Sequence, residues 1–157
     1  MLRVILLGAT VAAFALSPIA AADPVAPQPN TPCTAGVKDA LTWPAGAEAP
    51  LACDGTSWQP VTDPYPISDE WVSSGPEMTL HGQGRRNPML ESGQWTATPL
   101  TAETTCAATQ FAVISGTPTL GPPQSDRGEP GQPLALEVVP RLFTVELTGD
   151  CLWRRSP

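Results

Sequence analysis

The clearest alternation of apolar and polar side chains lies near the C-terminus. Leu134, Leu136 and Val138 alternate with Ala135, Glu137 and Val139; beyond Pro140, Phe143, Val145 and Leu147 alternate with Thr144, Glu146 and Thr148. A period of two sets successive side chains on opposite faces of a strand. The second segment therefore predicts an antiparallel strand with its apolar face in the core and its hydroxyls and carboxylate outside. Gly149-Asp150 then turns the chain into a short strand at Cys151-Leu152-Trp153. Further strand signals fall at Met78–His81, Gln94–Thr98 and Thr104–Ile114. Leu51 to Trp58 reads as strand, Asp54-Gly55 turn, strand, with Trp58 covering a neighbouring disulfide. Val37–Leu41 suits either one helical turn or a short strand, and no helix longer than about two turns is predicted.

Between these elements the chain is punctuated by proline and glycine, 20 and 13 among 157 residues. Proline costs about 3 kcal/mol inside a helix, so long helices and coiled coils are excluded. The pattern divides the chain into a Pro-rich extended tether over 23–32, a small Cys-closed unit over 33–60, an irregular linker over 61–77 and a β-sandwich domain over 78–157. The linker carries Pro64, Pro66 and Pro76 and sets Asp69-Glu70 beside Trp71. A second low-complexity stretch, 115–133, is long enough to be expected as a disordered or functional loop. The fold class is all-β: a small disulfide-bonded antiparallel β-sandwich with long Pro/Gly-rich loops.

Residues 1–22 read as an address. Arg3 supplies a basic start, Val4–Leu16 is a 13-residue apolar run, and Ala20-Ala21-Ala22 offers a cleavage site before Asp23. The run is shorter than the roughly 20 residues a membrane span requires. The expectation is an exported chain cleaved after Ala22, secreted or held in the cell envelope, with no membrane insertion of its mature part. The formal net charge is −7, and only Arg85-Arg86 and Arg154-Arg155 place basic residues side by side. That balance excludes nucleic acid and anionic lipid as partners, since both reward clustered cations.

Four cysteines, Cys33, Cys53, Cys106 and Cys151, allow three connectivities of two disulfides. Cys33–Cys53 with Cys106–Cys151 is favoured because each pair encloses its own segment. The C-x₂₋₄-C spacing of a zinc site is absent, so no metal is expected.

The stretch Gly93-Gln94-Trp95-Thr96-Ala97-Thr98, followed by Cys106, a variable loop and paired strands closing in Cys151-Leu152-Trp153, resembles a β-domain of small actinobacterial, mycobacterial-type exported proteins. Cys53-Asp54-Gly55-Thr56-Ser57-Trp58 is similar to the C-x-G-x-x-W pieces of such proteins. Ser92 stands where their turn has proline, and Trp95 where it has tyrosine. The resemblance implies a disulfide-closed β-sandwich with a Cys106–Cys151 bridge and a buried phenylalanine in the strand pair; it brings no catalytic residues.

The residues offer little chemistry. There is no G-x-S-x-G elbow and no D-x-D-x-D-G calcium loop. His81-Gly82-Gln83-Gly84 lacks the lysine and spacing of a phosphate loop and reads as a flexible stretch. No cofactor is implied. The expectation is a non-enzymatic, monomeric interaction module for an envelope or extracellular protein or glycan, with Trp71, Tyr65 and Ile67 as candidate contacts, because Trp and Tyr make effective binding anchors. The alternatives are a small secreted hydrolase using His81 with a nearby carboxylate, or a carrier of a small apolar ligand between the two sheets.

Overall fold

The computed structural model describes residues 25–157, so the expected leader over 1–22 and the first two residues of the tether lie outside the described part. A single 3-10 turn, Ala35–Val37, precedes twelve strands. They are β1 (Leu41–Thr42), β2 (Leu51–Cys53), β3 (Trp58–Pro60), β4 (Glu70–Ser73), β5 (Met78–His81), β6 (Gly93–Pro99), β7 (Ala107–Ser115), β8 (Thr119–Leu120), β9 (Gln124–Arg127), β10 (Leu134–Val138), β11 (Leu142–Thr148) and β12 (Cys151–Arg155). Sheet one runs β10-β6-β12-β4-β1-β2-β3; sheet two runs β5-β11-β7-β8, with β9 also on β7. The pairings are antiparallel apart from β1 with β4, which is parallel, Leu41 opposite Trp71.

The main core lies between the sheets. Trp71, Trp95, Leu136, Val138 and Trp153 from sheet one meet Met78, Leu80, Val145 and Leu147 from sheet two. These residues come largely from alternate positions, as the predicted period requires: in β10 Leu136 and Val138 are buried while Ala135 and Glu137 are exposed. Sheet one has a second apolar face. Val72 and Leu152, neighbours of Trp71 and Trp153, point the other way and pack with Val37, Leu51, Cys53 and Trp58. The Asp54-Gly55 turn forms as expected, with the Asp54 carboxylate accepting the Thr56 and Ser57 amides at 2.8 Å.

Both disulfides form in the pairing favoured above, Cys33–Cys53 and Cys106–Cys151. The second links the start of β12 in sheet one to the residue ahead of β7 in sheet two, so it ties the two sheets together. Loop-closure entropy makes such bridges worth about 3 and about 4 kcal/mol respectively. Beside the inter-sheet bridge, the Trp153 indole donates to Ser73 Oγ at 2.8 Å, and Ser73 Oγ donates to Gly149 O at 2.6 Å.

Three sequence readings are corrected. Residues 61–77 are not irregular throughout: Glu70–Ser73 is β4, an interior strand of sheet one between β12 and β1. Residues 115–133, expected as a disordered or functional loop, are not disordered: they contain β8 and β9, both laid along β7. Phe143 leaves the alternation assigned to it, because the β11–β7 register shifts between Leu142 and Thr144. Leu142 is 1% exposed and takes the core position, and Phe143 turns outward, half-buried. A bulge inserts one residue and re-aims the side chains around it.

Candidate functional site

The outward turn of Phe143 begins the most developed surface feature. Strand β5 is an edge of sheet two and ends at His81, opposite Thr144. The chain then rides directly over β11. A Cβ at Gly82 would lie 2.5 Å from the Leu142 side chain, and one at Gly84 would lie 2.3 Å from Arg141 O. Only glycine allows that approach. The amides of Gly82 and Gly84 donate to Phe143 O and Leu142 O at 3.3 and 2.7 Å, and Met89 N closes the loop onto His81 O at 2.8 Å. The His81-Gly82-Gln83-Gly84 segment, read as flexible, is thus a docked turn. It delivers Arg85 onto Phe143, with the guanidinium carbon 4.8 Å from the ring centroid. Such a contact is worth about 0.5–1 kcal/mol at an exposed site.

Two further aromatics join from sheet one's side. Trp43 follows β1; its amide meets Met78 Sδ at 3.3 Å and its indole donates to Ala47 O at 2.9 Å. Tyr65 sits on a turn capped by Asp63, whose carboxylate accepts the Tyr65 amide at 2.9 Å. That turn is fastened to the 82–89 loop by Ser68 N donating to Met89 O at 3.0 Å. Trp43, Tyr65 and His81 consequently form a row, with ring centroids 6.4 and 6.1 Å apart and the latter pair stacked at 28°. Tyr65 and His81 line a cleft on each side. One, of about 470 Å³, continues to Arg85, Arg86, Asn87 and Phe143. The other, of about 440 Å³, continues to Trp43, Glu77 and Thr79.

The two ends differ in charge. Arg85 and Arg86 make no ion pair among the described residues, whereas Arg154 binds Glu70 and Arg155 binds Asp69 and Glu91. Burial first, and the Arg85 charge second, lower the His81 pKa below its ordinary 6.5, so the ring is neutral at physiological pH. At the opposite end, burial and the neighbouring Glu77 raise the Glu146 pKa.

The expected contact residues separate. Trp71 is 0% exposed, and its indole N–H is shared between Ser68 O at 3.2 Å and Met89 O at 3.3 Å. It is a core residue of β4 and cannot serve as a surface anchor. Tyr65 and Ile67 are 41% and 57% exposed; Tyr65 lies at the centre of the aromatic row, and Ile67 lines neither cleft. The His81 ring meets the stacked Tyr65 ring and the Arg85 charge. The space between the sheets, where an apolar cargo would sit, is filled by Trp71, Trp153, Leu80, Leu136 and Val145. Among the described residues no three His, Cys, Asp or Glu converge to hold a metal, and no helix is long and apolar enough to cross a membrane. Sequence reasoning missed Trp43, Arg85, Arg86 and Phe143 as site residues. Of these, only the adjacency of Arg85 and Arg86 was visible in the sequence.

No family model, curated protein or solved structure matches this chain.

Proposed function

We propose that the protein is an exported, non-enzymatic binding module of the cell envelope or extracellular medium, and that its recognition surface is the Trp43–Tyr65–His81 row with its two flanking clefts. The observation that carries this reading is the shared wall: two aromatic side chains line concavities on both sides, so one extended ligand can lie across them. Concave surfaces built from aromatic rings and a few convergent polar groups are the usual form of a ligand site. Export is supported by the basic start, apolar run and small-residue cleavage site of residues 1–22. The two disulfides agree with it, because such bridges persist in oxidising compartments. The likeness to small actinobacterial exported proteins points the same way.

The test is retention of the purified mature protein on the isolated envelope fraction of the cells that make it. Tyr65→Ala and His81→Ala reduce retention several-fold, while Leu120→Ala, on the exposed strand β8, leaves it unchanged. Equal retention of all four proteins sinks the assignment of the aromatic row.

A further inference from the structure

The ligand's chemistry follows from how unequally charge is placed around the row. The chain has 15 acidic and 8 basic residues. Two of those eight, Arg85 and Arg86, nevertheless line the same concavity with no ion-pair partner among the described residues. Phe143 backs the Arg85 guanidinium and orients it before any ligand arrives. A guanidinium fixed on a ring face keeps its N–H fork free for the paired oxygens of a carboxylate or phosphate. The remaining lining is neither a lipid pocket nor a plain anion site. Tyr65 and His81 give flat apolar surface, the Asn87 amide offers donors and an acceptor, and the neutral imidazole offers one of each. Flat apolar rings beside neutral donors and acceptors match a pyranose, which has C–H faces and a rim of hydroxyls.

We infer that the surface binds an anionic glycan, with the carboxylate or phosphate of one sugar against Arg85 and Arg86 and that sugar's ring along Tyr65 and His81. The inference rests on the proposed role of the aromatic row. Direction follows from the second cleft. Glu77 lies there beside Trp43 and Thr79, so a second anionic group is repelled at that end while an uncharged sugar is accepted. Like charge placed against the wrong orientation is how polar sites discriminate.

Two matched pairs of polysaccharides test this. One is polygalacturonate with its fully methyl-esterified form; the other is phosphomannan with unphosphorylated mannan. Binding to the full mature chain is measured by calorimetry at low and raised salt. The charged member of at least one pair binds about tenfold tighter or more, the scale of one charge-assisted contact, and salt erodes that preference. The preferred pair identifies the charged group as carboxylate or phosphate. Arg85→Gln with Arg86→Gln abolishes the preference for the charged member, while Tyr65→Ala weakens both members alike. Equal binding of charged and neutral members, or a preference that survives the double arginine variant, overturns the anionic assignment and leaves the row's binding role standing. If the protein binds none of the four, or only acidic proteins, the glycan assignment fails; the envelope-retention measurement then judges the row independently.

Discussion

Gln110 is a buried polar residue whose removal tests how the sandwich is closed. It lies on β7 in sheet two and is 2% exposed. Its amide reaches across to sheet one: Nε2 donates to Glu137 O at 3.0 Å, and Oε1 accepts from Val139 N at 3.1 Å. A carbonyl and an amide two residues apart point to the same side of an extended chain. The Gln110 side chain therefore stands in for the peptide group of a further strand beside β10, the edge of sheet one. Gln110→Met keeps the length and rough volume but removes both partners. Each part-buried backbone group left without a hydrogen bond costs about 1–3 kcal/mol, and the more apolar methionine returns about 1 kcal/mol of transfer free energy. A net loss of about 3 kcal/mol follows. For a chain of this length each kcal/mol moves Tm by about 3 °C, so the expected fall is about 10 °C. The assay is near-ultraviolet circular dichroism with disulfides intact, paired with amide exchange at Val139, which should lose its protection. Gln110→Glu should be worse at neutral pH, because it turns a carboxylate toward a carbonyl. A Tm within about 2 °C of the parent, with Val139 still protected, would show that the amide bridge is incidental.

Two further outcomes concern titrating groups. The Asp54 pKa is lowered from 3.8 to about 2, chiefly by the Thr56 hydroxyl and then by the Ser57 and Thr56 amides. A depressed carboxylate stabilises the fold fully above its unfolded value and loses that contribution as pH falls through the folded one. Hence Asp54→Ala lowers Tm near neutrality and flattens the Tm profile between those two values; a variant that keeps the parent's acid limb contradicts the turn's role. At His81, an NMR titration should place the midpoint below 6.5, and Arg85→Gln should raise it while still leaving it below 6.5, because burial is the larger cause. An unmoved midpoint means that the guanidinium is not held beside the ring.

The fold was readable wherever one face of a strand is wet. In β10 and β11 the pairs Leu136/Val138 and Val145/Leu147 enter the core while their neighbours do not, so the period of two survives in the residues. In β4 it does not. Trp71 faces the main core and Val72 the second one, so consecutive apolar residues are both buried and no alternation is left to read. Strand β9 fails for the opposite reason: Gln124, Ser125, Asp126 and Arg127 are all exposed, and a strand with no buried face carries no apolar signal. Trp71 reads as a contact in the sequence because tryptophan is an effective binding anchor. Its burial depends on β12 and β1 on either side, which nothing local reveals.

The binding surface was legible only as separate residues. Tyr65 and His81 are distinctive one by one, but the row depends on four chain segments meeting, and the meeting depends on one irregularity. If β11 kept strict alternation, the inward position would fall on Phe143, and Leu142 would lie under the turn that follows β5. With the slip, Leu142 fills the core, its backbone carbonyl accepts the Gly84 amide, and Phe143 faces outward beneath Arg85. The two glycines answer the same constraint from the other side, since any side chain at 82 or 84 would strike Leu142 or Arg141. The bulge on β11 and the glycine turn after β5 are therefore complementary halves of one contact. That contact sets His81 beside Tyr65 and Arg85 over Phe143, so the packing of the sandwich edge and the geometry of the binding surface share a single cause.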